Sequence, residues 1–589
     1  ALVFCHQPLP LPFAGGRLGM TWSAAFCATD CPGGFAHDDA EAEIAPGGAH
    51  WEAPRIGLGG AAGPSPRAGT TLLEELVSVG RITPTVRVGE DADRILQGVA
   101  CKEAPSPIFA DGVGGKSPEK LMVAVVAEEE EAQPASASLG GPAIIILVNP
   151  RSGGNAAGEF LKLPAGGLLV EASRGRQATC FSYPIHDPTK KGIAHLRREV
   201  AAAPPGAEPV RCIVAGGDGT VMWAIEEILK AEIPVDRVAV GTVPFGTGND
   251  FGNVTGWGTS GPRPGFLQEQ QGFAGIEAYV KSWLGASSAP FDIWEVSVRT
   301  RASEGAAFRF VEGGQKRCSE GHVARHGIRR LPGGELEMSK FMCNYVGFGL
   351  DARVGCGFDK LRQNNRILNK AVYAWEGVKK LLFKKKGVIG HIMDSMTTLR
   401  EGQEFARASD GHRGAEPGAT VFSTARPGGA RPAEDRAEHG EEEAPMLMGN
   451  PVSLLFLNIP SISGGLDIWN WSNKKLGTSA APRELLRASQ DFGDGRLECL
   501  SYRTGLGFYA EQLRAPPVSG QGNRIYSGDG PLRISFREPN DAEYVRGTAH
   551  CKGRTYMQVD GEFFVVHEPD TVVIRRHATI SVLVRGGRR

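Results

Sequence analysis

Three short apolar runs stand out against a polar background. Ile144, Ile145, Ile146, Leu147 and Val148 run without a break into Asn149-Pro150. Residues 211–215 and 238–243 repeat the pattern. Continuous apolar runs of this length suit strands buried on both faces, as in a parallel sheet. Between the last two lies 221–231, with Val221, Ile225, Ile228 and Leu229 on one helical stripe. Strands alternating with helices predict an α/β layer over 141–290. From Phe291 onward the period shortens: 291–298, 454–457, 496–502, 532–536, 556–559 and 571–575 read as antiparallel strands of a β-rich, sandwich-like second domain over 291–585.

Composition adds the segments between these elements. The chain has 589 residues, with 80 Gly and 39 Pro concentrated where apolar periodicity is lacking. Residues 1–140, and inserts at about 300–337 and 399–445, are expected to be disordered, because such stretches bury too little surface to offset ordering entropy. A net charge of -1 supplies no global field toward nucleic acid or an acidic membrane. The 11 Cys form no CxxC pair, so reduced thiols in a reducing compartment are expected. Cys27, Cys31, His37 and His50 lack a second cysteine pair for zinc. No apolar run approaches the ~20 residues of a membrane span, and residues 20–28 lack a signal peptide's basic start.

Each buried run ends in a glycine-bearing polar turn. The first holds Asn149, Pro150, Ser152, Gly153 and Gly154; the second Gly216, Gly217, Asp218, Gly219 and Thr220; the third Gly246, Thr247, Gly248, Asn249 and Asp250. Glycines let backbone N–H groups approach an anion, and a following helix adds its positive end. Three such turns after three buried strands point to nucleotide phosphates. Gly114-Gly115-Lys116-Ser117 is no P-loop, since Ala110 stands where the first glycine is required.

The turns also carry a family likeness. Gly216–Trp223 resembles the GGDGTVxW box of the diacylglycerol kinase catalytic domain, and the first and third turns resemble its VNPxSGG and PLGTGND boxes, with Phe245 for Leu. Further on, 344–352 is similar to the family's NYxSxGxDA segment, 457–465 to its LNIPSxxGG box and 557–562 to its MQxDGE box. The WGGGY segment is reduced to Trp257-Gly258-Thr259, and paired-cysteine lipid-sensing modules and EF-hand loops are not visible.

The resemblance implies ATP with Mg2+ as cofactors and diacylglycerol at a membrane surface as substrate, with a cytoplasmic, peripherally membrane-associated enzyme and no nucleic-acid partner. It implies Asp560 as general base toward the lipid hydroxyl and Glu562 as metal ligand or orienting partner. Asp218 would hold the metal, with Asp218 also the rival base. Asn249 and Asp250 would orient the nucleotide or its metal, and Thr189 would touch ATP. From spacing alone, Asp560-Gly561 is equally an ordinary hairpin turn. A basic stretch at 369–386, with Trp375 and Leu382 at near-helical spacing, reads either as a core helix or as a segment lying on an anionic interface. Competing functions are a sphingoid-base or ceramide kinase, an NAD kinase, and an inactive kinase-like scaffold.

Overall fold

The structure is a computed structural model of the whole chain; it describes residues 140–172, 175–310, 327–361, 372, 376, 388–400, 418–424, 445–512, 520–541 and 553–586. The 1–139 extension and nearly all of 369–386 lie outside the described residues.

The first layer begins with strands β1 (Ala143–Val148), β2 (Leu168–Ala172), β3 (Arg176–Pro184), β4 (Val210–Gly216) and β5 (Val238–Pro244). β3, β1, β4 and β5 run parallel in that spatial order, with β2 antiparallel at the edge. Helices α1 (Lys191–Ala202) and α2 (Asp218–Lys230) join these strands. Successive side chains of β1 enter opposite cores: Ile145 and Leu147 pack with Ile193, Leu196 and Ile225, whereas Ile144, Ile146 and Val148 pack with Phe160 and Trp283. Burial on both faces is why these strands are apolar throughout. Helix α2 starts three residues before the expected position, so that Asp218 is its first residue. A short helix α3 (Asp250–Val254) follows β5, and α4 (Ile276–Gly285) covers the second face.

Strand β6 (Ser287–Thr300) opens the β-rich region. It is followed by β7 (Ala307–Phe310), β8 (Ile328–Arg330), β9 (Leu336–Met342), β10 (Tyr345–Gly349), helix α5 (Leu350–Lys360), β11 (Met393–Thr398), β12 (Thr420–Ser423) and β13 (Ser453–Leu457). Then come α6 (Ile468–Trp471), β14 (Leu497–Tyr502), α7 (Gly505–Gln512), β15 (Asn523–Gly528) and β16 (Leu532–Phe536). The chain closes with β17 (Arg554–Val559), β18 (Glu562–His567) and β19 (Pro569–Val584). One sheet runs β15-β14-β13-β10-β17-β18-β7. It packs face to face on β6, β9, β11, β16 and β19 through a core holding Trp294, Phe348, Phe422, Phe456 and Ile574, the sandwich expected from the alternating pattern.

Two observations correct the expected organisation. The spans expected as disordered inserts at about 300–337 and 399–445 contain strands: β7 and β8 in the first, β12 in the second. Phe308, Phe310, Ile328 and Phe422 are buried in the sandwich core. Burying one such side chain is worth ~1.5–3 kcal/mol, enough to hold a short strand in a polar segment. The last strand also returns to the first layer. Ser581 and Val582 of β19 pair in parallel with Ala239 and Val240 of β5, while its earlier residues pair antiparallel with β16. β19 and β6 pair along their whole lengths, so one long ribbon crosses both layers.

Candidate functional site

The carboxyl ends of β1, β4 and β5 bring the three glycine turns together, as strand ends of a parallel sheet do. Asn149 Nδ2 donates to Thr220 Oγ1 at 3.2 Å, joining the first turn to the second. Phe245 N donates to the Gly216 carbonyl at 2.8 Å, joining the third turn to the second. A side chain on Gly217 would stand 2.8 Å from Gly246 Cα, so this pair must be glycine for the turns to touch. Gly154 and Gly219 face open space instead, with no atom within 4 Å of where a Cβ would sit. Both glycines are exposed. Pro150 and Ser152 shape the first turn, where Ser152 N donates to the Asn149 carbonyl.

Asn249 sits in the left-handed region at φ 56°. Its Oδ1 accepts from Gly246 N at 2.7 Å, and its Nδ2 donates to the Gly246 and Thr259 carbonyls. Its side chain therefore builds the turn holding Thr247 and Gly248. Thr189 lies on an exposed loop after β3, its hydroxyl donating to Asp187 Oδ1 at 2.6 Å; these bonds do not tie it to the glycine turns.

Three carboxylates converge where the layers meet. Asp218 Oδ2 accepts from Asp250 N and Oδ1 from Phe251 N, both at 3.1 Å, so it caps the start of α3. Burial, and then the neighbouring Asp250 charge, push its pKa up to about 7; Asp560 adds in the same direction. Asp250 is only 1% exposed, and burial raises its pKa against the hydrogen bonds it accepts.

Asp560 arrives from the opposite layer. Val559 pairs with Glu562, and Asp560 and Gly561 take φ of 48° and 80°, a two-residue turn with both residues left-handed. The Asp-Gly pair is thus a hairpin turn, and the turn also brings the Asp560 carboxylate to where the layers meet. The turn aims the carboxylate at the segment before β10, where Oδ2 accepts from Cys343 N at 2.7 Å and Oδ1 from Asn344 N and Tyr345 N at 2.9 Å. Burial raises its pKa and these amides oppose the shift. The side chain of Glu562 is 45% exposed and ion-paired with Lys340 at 2.5 Å. Alternation places Glu562 on the same face as Phe564 and Val566, at the end of the strand, where Lys340 of β9 in the opposite sheet meets it.

Several residues with structural roles in the site had no role assigned from sequence. Asn458, fully buried, donates to the Asp292 and Cys343 carbonyls and accepts from Trp294 Nε1, fixing the segment that holds Asp560. Asp292 Oδ1 accepts from Thr579 Oγ1 and Oδ2 from Gly495 N, both at 2.6 Å, anchoring β6 to β19. Ser461 and Tyr345 contact Asp250. Tyr345, Asn458 and Ser461 lie inside motifs visible in the sequence, but nothing local distinguishes them from ordinary strand and turn residues.

A parallel layer presenting glycine turns, facing a β-rich layer that contributes a carboxylate of its own, is a phosphotransferase-type cleft. Residues 143–268 match the diacylglycerol kinase catalytic domain and 341–563 match the diacylglycerol kinase accessory domain. The chain belongs to the diacylglycerol kinase family. It is 26% identical over 471 residues to diacylglycerol kinase 1 of Oryza sativa, covering 73% of this chain and 77% of that one. Diacylglycerol kinase 5 of Arabidopsis thaliana is 24% identical, covering 71% and 72%. The eye-specific diacylglycerol kinase of Drosophila melanogaster is 26% identical over 335 residues, and this chain spans only 17% of its length. A crystal structure of a putative diacylglycerol kinase from Bacillus anthracis aligns over 76% of this chain and 97% of its own at 11% identity, with a TM-score of 0.33.

Proposed function

We propose that this chain transfers the γ-phosphoryl group of ATP to the free hydroxyl of 1,2-diacylglycerol, giving phosphatidic acid and ADP. The observation that carries the reading is that Asp218, from the glycine turns, and Asp560, from the opposite layer, are linked by hydrogen bonds through Asp250 and Tyr345 alone. Phosphoryl transfer depends chiefly on positioning and charge neutralisation. The open amides at Gly154 and Gly219 would receive phosphate oxygens. Asp560 would take the hydroxyl proton as the lipid oxygen bonds to phosphorus and the bridging bond to ADP breaks.

Among the described residues no three His, Cys, Asp or Glu side chains gather as a metal site. Mg2+ would need only one or two carboxylates and would complete its shell with phosphate oxygens and water. Asp218, half-buried with both oxygens fixed by amides, is the residue that would hold it. The ion would neutralise charge on the transferring group. A second assignment has one observation in its favour: a carboxyl at about 7 suits Asp218 itself as base.

The substrate would be met at a membrane surface. No helix among the described residues is long and apolar enough to cross a membrane. The deciding experiment is transfer from labelled ATP to a panel of diacylglycerol, monoacylglycerol, sphingosine, ceramide and NAD. Labelled phosphatidic acid as the dominant product is expected. Preferential labelling of a sphingoid base, ceramide or NAD, or of nothing, would overturn the reading.

A further inference from the structure

Asp250 belongs to a nucleotide turn, but its side chain is satisfied by the other layer. Oδ1 accepts from Ser461 Oγ at 2.6 Å, from Gly464 N at 2.8 Å and from Gly465 N at 3.2 Å. Oδ2 accepts from the Tyr345 hydroxyl at 3.3 Å. Asn253 Nδ2, one turn along α3, also reaches Ser461 Oγ at 3.3 Å. The loop after β13 is shaped for this approach. Gly464 and Gly465 have φ of 85° and 111°, and a Cβ on Gly464 would stand 3.3 Å from the Gly248 carbonyl.

The bonds form a continuous chain across the cleft. Asp250 N donates to Asp218, the Asp250 carboxylate accepts from Tyr345, and Tyr345 N donates to Asp560 Oδ1. Burial and the surrounding carboxylates hold the Tyr345 phenol well above its ordinary pKa, so it stays a donor. We propose that Ser461 and Tyr345 are positioning residues that clamp Asp250 and thereby set the separation of Asp218 from Asp560. Neither would touch the reacting atoms. A cleft closed by a few charge-assisted bonds to one buried carboxylate has a defined geometry, and a misplacement of about 1 Å at such a site costs on the order of 100-fold in rate.

The inference rests on the kinase reading, so its test has a readout independent of turnover. Ser461→Ala and Tyr345→Phe would be made in the whole chain. kcat and KM for ATP would be measured with diacylglycerol in mixed micelles, well below the melting temperature of every variant. Hydrogen exchange at Gly464 and Gly465 would be followed on the same samples. Each substitution is expected to lower kcat by roughly 10–100-fold, to leave KM for ATP within about 2-fold, and to speed exchange at both amides. Wild-type kcat in both variants would overturn the proposal even if exchange quickens. Unchanged exchange would overturn it whatever happens to turnover. If the wild-type chain phosphorylates no lipid, the kinase reading fails, and the clamp is judged on exchange alone.

Discussion

Asp218 and Asp560 are both aspartates beside glycine at a turn, and they reach one cleft by opposite routes. Asp218 opens a helix after a parallel strand, and the two amides it accepts come from the neighbouring turn of its own layer. Asp560 tips a hairpin, and its three amides come from consecutive residues leading into a different strand. The first arrangement is built from elements close in sequence. The second needs partners 215 to 217 residues away. A carboxylate held by neighbouring turns of one layer keeps its place whatever the other layer does. One held across the fold is moved by anything that shifts the β-rich layer. The two residues should therefore fail differently when their charge is removed.

The largest effect is expected for Asp218→Asn. Turnover should fall by ~10³-fold or more, with weaker Mg-ATP binding and a cooperative unfolding transition retained. Normal nucleotide binding in an inactive Asp218→Asn protein would instead mark Asp218 as the base. Asp560→Asn should lower kcat by ~10²–10⁴-fold while ATP affinity stays near wild type. Because an amide NH2 cannot accept the bonds that a carboxylate oxygen did, this variant should also lose ~1–3 kcal/mol of stability. An unfolding titration against wild type checks this.

Glu498 on β14 sharpens the comparison from outside the cleft. It is fully buried and accepts from Ser527 Oγ at 2.9 Å, and burial pushes its pKa up to about 8. Below the ordinary glutamate value the group is protonated in both states. As pH rises toward 8 the unfolded chain ionises first, binds fewer protons, and stability falls. Glu498→Gln should remove that loss, gaining roughly 2–4 kcal/mol over wild type at pH 9 and little at pH 5, at 1.36 kcal/mol per pKa unit. Parallel stability curves for the two proteins across this range would show that Glu498 is not the titrating group. The smallest effect is expected on excising 425–444. Ser423 N donates to the Pro445 carbonyl at 2.7 Å, so a short linker can join the ends. Melting temperature should move by no more than about 2 °C. Extending the deletion through Phe422 should cost several times more, because that ring is buried in the sandwich core.

The sequence by itself determined the parallel layer and its turns. Runs such as Ile144–Val148 are apolar throughout because both faces are buried, and glycines mark the tight turns that follow them. It also marked most strands of the β-rich layer through their alternation, and the motif likeness placed Asp218, Asp250 and Asp560 in one site. Spacing alone left Asp560 divided between hairpin and site, since both ask for the same Asp-Gly pair. Only the tertiary structure showed that the hairpin turn carries its carboxylate to the Cys343, Asn344 and Tyr345 amides. It also showed the Asp250 carboxylate accepting from Ser461 and Tyr345, paired Glu562 with Lys340, and buried Phe308, Phe310 and Phe422 from segments too polar to be read as strands. The reason is common to all four. A short apolar pair in a polar stretch, or a carboxylate at a turn, becomes informative only when its partners are known, and the partners of these carboxylates lie 95 to 222 residues along the chain.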